Sequence, residues 1–208
     1  MKFLLVKERI QKAGRNFRRL MKDSSAVAMV EFAMILPMLT VLTLGSFEVA
    51  RYALLTQKLD RVSATMADLT ARAEALTASE VDNLFDSTDH LAQPFDFNTD
   101  GMVVISSIVG RLNQPPLIIG QRSQGNISGV NSVIGSNGGD ATLPEAFKNQ
   151  ETGQVLEDGD GLIVAEVFYD YAPYLSLGGN LLDDILGEMI IYRRAFFRPR
   201  LSEQTTFN

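Results

Sequence analysis

AVAMVEFAMILPMLTVLTLGSFEVA, residues Ala26 to Ala50, is a run of twenty-five residues whose only formal charges are Glu31 and Glu48. At about 1.5 Å per residue, a helix of this length crosses a hydrocarbon core of about 30 Å. The run therefore reads as a transmembrane helix. A secretory signal peptide would have an apolar region of about 7 to 15 residues and a small-x-small cleavage site after it. Ser46-Phe47-Glu48 does not supply that site. A buried core helix is the other alternative, but a small soluble domain seldom hides so long an apolar rod behind a strongly basic leader. Pro37 and Gly45 are tolerated inside a membrane helix, where freed backbone groups find other partners.

Working outward, residues 1 to 23 carry eight basic side chains (Lys2, Lys7, Arg9, Lys12, Arg15, Arg18, Arg19, Lys22) against Glu8 and Asp23, a net +6. The whole chain of 208 residues has net charge −6, so residues 24 to 208 carry −12. Only Arg51, Lys58 and Arg61 follow the apolar run closely. The positive-inside bias then places the N-terminus in the cytoplasm and the acidic part on the far side of the membrane. A domain at −12 repels phosphate backbones, so no nucleic-acid partner is expected.

The chain has no cysteine and one histidine, His90, which excludes disulfides, thiolate metal sites and cysteine nucleophiles and leaves little for histidine-based catalysis. His90 falls in the polar stretch Ser87 to Gln93 and reads as a solvated loop residue. No Walker loop, zinc spacing or nucleophile elbow is present, and no catalytic residue can be nominated. The expectation is a non-enzymatic protein without a cofactor.

Glu31 stands out. A carboxylate facing lipid costs about 2 to 3 kcal/mol even on lenient insertion scales, so it requires a partner, a shallow position or protonation. Five residues into the run, it lies only about 8 Å deep, and shallow placement remains open. Glu48 is near the far interface, three residues before Arg51, where a helix-surface ion pair accounts for it.

The stretch Ala26-Val27-Ala28-Met29-Val30-Glu31-Phe32-Ala33-Met34-Ile35-Leu36-Pro37, followed by Gly45, Phe47-Glu48 and Arg51, resembles the N-terminal signature of TadE-like proteins. These are minor pseudopilins of the Tad (tight adherence, Flp-type) pilus system. The shared pattern is a basic leader, a short apolar run, Glu-Phe, more apolar residues, Pro, then Gly and an acidic-aromatic pair ending in Arg. The resemblance implies that Glu31, with Phe32, is the assembly glutamate at the fifth position after a prepilin-peptidase cut between Ala26 and Val27. Ala26 stands where that peptidase prefers Gly. It also implies that Glu31 neutralises a freed N-terminal amine, its own or a neighbour's. The implied partners are other Tad pilins and pseudopilins, the inner-membrane assembly platform, the prepilin peptidase and the lipid bilayer.

Beyond the membrane, Leu55, Leu59, Val62, Met66, Leu69, Ala73 and Leu76 follow a 4-3-4-3-4-3 spacing, so the helix continues to about residue 76. This stripe is either a coiled-coil seam or a face docked on the chain's own sheet. Three heptads with an Ala in the seam favour docking. Thr77-Ala78-Ser79-Glu80 is a capping box opening a short helix through Phe85. Met102 to Leu112 is β-branched on both faces, with Leu117-Ile118-Ile119 as its hairpin partner. Leu162 to Tyr171 alternates and reads as half exposed, and Met189 to Arg198 reads as the last strand. Gln121 to Asp140, dense in Gly, Ser and Asn, reads as a long mobile loop. The division expected is a basic cytoplasmic leader over 1–25, a transmembrane helix over 26–50, its amphipathic continuation over 51–76 and a periplasmic α+β domain over 77–208. The fold class is α+β: a long N-terminal transmembrane and amphipathic helix packed on a small antiparallel sheet, as in pilins. The segments Glu166 to Pro173 and Ile190 to Arg200 also resemble the closing strands of TadE-like proteins.

Three minor constellations remain. Asp96-x-Asn98-x-Asp100-Gly101 reproduces the first half of a calcium loop, but Ser107 stands at the closing twelfth position; Glu157-Asp158-Gly159-Asp160-Gly161 is the cluster that could complete it. Turn chemistry before a strand is the plainer reading. Arg193, Arg194, Arg198 and Arg200 read as edge-strand charge, or as contacts to anionic lipid or an acidic partner. Asn126-Ile127-Ser128 is a chance sequon. Besides the pseudopilin, two readings stay open: a membrane-anchored periplasmic binding or sensor domain, with calcium as its ligand, and, least supported, a tethered envelope enzyme.

Overall fold

A computed structural model describes residues 24–125, 127–148, 153, 155–174 and 189–207. The basic leader, Asn126 and residues 175–188 lie outside the described residues. The chain divides into two compact units, 1–49 and 50–208.

Helix α1 runs over Ser24–Ala71 and contains Pro37. It stops five residues short of the expected end. The strand β1, Ala75–Leu76, instead pairs in parallel with β6, Thr206–Phe207. The Ala71 carbonyl, left over at the helix end, accepts from the Arg200 backbone N–H at 2.9 Å, and the Thr205 hydroxyl donates to the Ala73 carbonyl at 2.9 Å. A segment some 130 residues downstream thus terminates the helix, a cause that local periodicity cannot register. It also corrects the reading of Met189 to Arg198 as the last strand, since β6 follows it.

The capping box is present: the Thr77 side chain accepts from the Glu80 N–H and the Glu80 carboxylate accepts from the Thr77 N–H at 2.8 Å. The Thr77 N–H, and after it the Thr77 hydroxyl, which also donates to the Glu80 carboxylate at 2.8 Å, hold the Glu80 carboxyl below its ordinary value. The helix it opens, α2 (Ala78–Ala92), runs about two turns past Phe85 because Val81, Phe85, Thr88 and Ala92 form one buried stripe. Thr88 hides in that stripe by donating its hydroxyl to the Phe85 carbonyl. His90 is accordingly an exposed residue of the last helical turn rather than of a loop.

A single turn of helix, α3 (Phe97–Asp100), leads into the main sheet. Its strands are β2 (Gly101–Arg111), β3 (Gln114–Gln124), β4 (Gly161–Tyr171) and β5 (Met189–Phe197), all antiparallel in the order β3-β2-β4-β5. Antiparallel pairing by direct neighbours suits the short β2–β3 turn at Leu112-Asn113, where Asn113 adopts a positive φ of 59°. One sheet face, with Val103, Ile105, Ile163, Ala165 and Val167, packs on Leu55, Leu59, Val62 and Met66 of α1. The fold is α+β, with a long N-terminal apolar helix packed on a small antiparallel sheet.

The second face departs from expectation. Strand β4 is buried at every position except Asp170, and Glu166 is fully buried. The cover is the Gly- and Ser-rich segment expected to be a mobile loop. Ile127 packs with Val104 and Phe168, and Ile134 with Ala141 packs with Ile108, Ile118, Leu162 and Val164. Glu166 fixes that segment, accepting from the Val133 N–H (2.9 Å), the Tyr192 hydroxyl (2.9 Å) and the Ser132 hydroxyl. A carboxylate supplied with three donors can be buried without the cost of stranded charge.

Candidate functional site

Between Val27 and Val49, fourteen large apolar side chains of α1 are 43–76% exposed. At roughly 1 kcal/mol for each half-covered side chain, leaving them in water forfeits more than ten kcal/mol. Soluble surfaces do not carry a continuous apolar sleeve of this size. The helix is long and apolar enough to cross a membrane, and none of its most apolar window is buried by the chain itself. Its polar groups are prepared for such a solvent. Thr40, Thr43 and Ser46, the only hydroxyl residues between Val27 and Val49, each donate to the carbonyl four residues back, at 2.8 Å. Lipid offers no partners, so internal satisfaction is the arrangement it requires. This is a candidate membrane anchor of a single-pass protein.

Glu31 and Phe32 are both exposed on this helix. Within one turn on either side Glu31 meets Val27, Ala28, Met34 and Ile35, none of which can donate to a carboxylate from its side chain. Among the described residues it has no hydrogen bond or ion pair. The backbone bond between Ala26 and Val27 lies in the first turn of the helix that begins at Ser24. Gly45 is open: a Cβ there would meet nothing within 4 Å.

The packing stripe continues α1 in the second unit. Leu55, Leu59, Val62 and Met66 are fully buried, while Leu69 is 38% exposed and its place is taken by Ala67, Thr70 and Ala71. An α-helix drifts about 20° per heptad from a 3.5-residue repeat, so a straight helix rotates the heptad position out of the contact. Exposure of Leu69 is what docking on a sheet produces, whereas a supercoiled seam would have retained it. Glu48, read as a surface residue, is buried at 4% exposure.

Sequence reasoning passed over the residues around Arg51. Its guanidinium lies 3.9 Å from the ring centre of Tyr174, 4.9 Å from Tyr171 and 5.8 Å from Phe95, and donates to the Ala172 carbonyl at 3.0 Å. Tyr52 meets Tyr171 edge to face at 5.6 Å. Such stacking contributes about 0.5 to 2 kcal/mol according to its desolvation. The available signal was the aromatic clustering of Phe168-Tyr169-Asp170-Tyr171-Ala172-Pro173-Tyr174, but only the fold brings it to Arg51.

The two halves of the expected calcium site lie apart. Asp96 caps α3, accepting from the Thr99 N–H (3.1 Å) and hydroxyl (2.8 Å), and Asp100 accepts from the Tyr169 hydroxyl at 3.3 Å. Asn98 is exposed. The Glu157 to Gly161 cluster is bonded to Gly110, at the other end of β2. The ten-residue rise of that strand separates them by about 33 Å. Asp158 accepts from the Leu112 N–H at 3.0 Å and Asp160 pairs with Arg198 at 3.3 Å. Among the described residues no group of three or more His, Cys, Asp or Glu could hold a metal ion. Three of the four clustered arginines pair within the chain, Arg193 with Asp60, Arg198 with Asp160 and Arg200 with Asp68, while Arg194 lies over the Tyr192 and Phe196 rings at 5.7 and 5.4 Å.

Two tyrosines report on the domain's integrity. Burial, reinforced by Asp100 for Tyr169 and by Glu166 for Tyr192, raises both phenols above their ordinary value of 10.0. Unfolded tyrosine releases its proton first, so the unfolded state binds fewer protons above pH ~10 and stability falls from there upward. Below that pH both forms are protonated and these groups contribute no slope. Thermal unfolding followed across alkaline pH should show this onset, and Tyr192→Phe should weaken the slope; a flat profile to pH ~12 contradicts it.

Residues 26–68 match the family model of TadE-like proteins. No curated protein and no solved structure matches the chain. The match lies entirely within α1, covering the exposed apolar segment and most of the docked stripe, and none of the sheet strands. It points to a membrane protein associated with a Tad pilus.

Proposed function

We propose, from the family match over α1, that the chain is a TadE-like minor pseudopilin. It is a non-enzymatic, single-pass inner-membrane component that keeps its basic N-terminus in the cytoplasm and carries its sheet domain in the periplasm. Assembly runs through the exposed sleeve Val27 to Val49, which meets other pilins or pseudopilins and the membrane platform. Glu31 sets the register by neutralising a cationic group of a neighbouring subunit. The observation that carries this reading is Glu31 itself: an acidic side chain without a partner among the described residues, on a helix otherwise dressed for lipid. An isolated charge at that place costs free energy unless a companion arrives.

The test is co-purification of partner pilins with the full chain carrying Glu31→Gln. Removing one member of a desolvated charge pair costs about 2 kcal/mol or more, and each 1.4 kcal/mol is tenfold, so recovery should drop by roughly tenfold or more with membrane insertion unchanged. Undiminished recovery would remove Glu31 from the assembly mechanism. A prepilin peptidase acting between Ala26 and Val27 would free an amine four residues from Glu31, supplying one such cation. Intact mass of the membrane-extracted protein reads this directly, as the loss of residues 1–26 or their retention.

A further inference from the structure

The exposed apolar side chains of the sheet domain are unevenly placed. Tyr52, Leu54, Tyr174, Met189 and Ile190 are 37–76% exposed. They belong to one end of the domain. Tyr52 packs on Tyr171, Tyr174 on Arg51, and Met189 and Ile190 are the sheet partners of Tyr171 and Asp170. Leu112, also exposed, is not among them. Leu112 follows the far end of β2, whose near end pairs Gly101 with Tyr169.

This end is also the one the chain enters from the apolar helix. Tyr52 is three residues past Val49, so whatever the backbone conformation it stays within about 11 Å of the end of the sleeve. The headgroup layer on each side of a bilayer is about 5 to 8 Å thick. Tyrosines with an apolar ring and a polar tip concentrate at that depth. We propose that this face is a footing: Tyr52, Tyr174, Met189 and Ile190 bed in the lipid headgroup layer around the anchor, and the Arg51 stack on Tyr171 and Tyr174 holds the end of β4 against the helix so that the footing keeps its shape. The partner is the lipid surface, and the inference rests on the reading of Val27 to Val49 as the membrane span.

The chain contains no tryptophan, so a single introduced one reports its own surroundings. Full-length protein carrying Tyr174→Trp, Ile190→Trp, Leu112→Trp or Leu39→Trp is reconstituted into phosphatidylcholine–phosphatidylglycerol vesicles with acyl chains brominated close to the headgroup. Tyr174→Trp and Ile190→Trp should emit at shorter wavelength and be quenched several-fold more than Leu112→Trp. Leu39→Trp tests the span separately, with chains brominated near their ends. If Leu39→Trp is quenched and both footing reporters behave like Leu112→Trp, the footing is wrong while the span stands. Blue-shifted emission without lipid quenching would mean that protein covers the face, which also overturns the proposal. If Leu39→Trp escapes quenching, the span and the footing fall together.

Discussion

Glu166→Ala should destabilise the sheet domain by about 3 to 5 kcal/mol, the range for breaking a buried charged network from one side. The substitution leaves the Ser132 and Tyr192 hydroxyls and the Val133 N–H without their acceptor and opens a void at a fully buried position of the central strand β4. Glu166→Gln should lie between the wild type and Ala, because its carbonyl still accepts while its amide must face donors. The loss should be local first: the segment around Ser132 and Val133 should gain amide exchange and protease sensitivity before the sheet does. Thermal unfolding of the full chain in detergent, with exchange at those amides, checks both points. A Glu166→Ala variant of unchanged stability would mean that this carboxylate does not hold the cover in place.

Leu59→Ala is the second. Leu59 is fully buried against the sheet, so truncation should cost about 2 to 5 kcal/mol, the range for large-to-small changes in a core. Leu69→Ala, at 38% exposure, should cost well under half as much. The comparison separates the two uses of the heptad stripe. In a coiled-coil seam both leucines would count alike and the loss would depend on protein concentration. In the docked arrangement the losses differ and are independent of concentration. Equal losses in unfolding of the full chain would contradict docking.

What the sequence conveyed follows from the range of the interactions involved. The apolar sleeve, the capping box at Thr77 and the β-branched run after Met102 are local patterns, and each appears in the fold where its own residues put it. The features that escaped depend on partners far along the chain. The end of α1 is decided by Arg200, Thr205 and Thr206, and the burial of Glu166 by a segment whose Gly and Ser content suggested mobility. In that segment Ile127, Val130 and Ile134 were the legible hint, since a solvated loop has no need of apolar residues at such intervals. The alternation in β4 was read correctly as two faces, but polarity on one of them was mistaken for water rather than for a buried carboxylate with its donors. The Arg51 stack escaped for the same reason, since Arg51, Phe95 and the Tyr171–Tyr174 pair come from three separate stretches. Glu31 is the opposite case. Its chemistry is legible in sequence because everything around it is apolar, and the fold adds only that no described residue answers it.

The central claim is that Val27 to Val49 crosses a membrane and leaves the sheet domain outside the cell's interior. The chain has no cysteine, so Leu112→Cys in the full-length protein provides one thiol, at an exposed turn of that domain. In intact spheroplasts that thiol should react with a membrane-impermeant maleimide, and the labelled chain should stay with the membrane through alkaline carbonate extraction. Labelling only after lysis, or release of the chain into the soluble fraction, would contradict it.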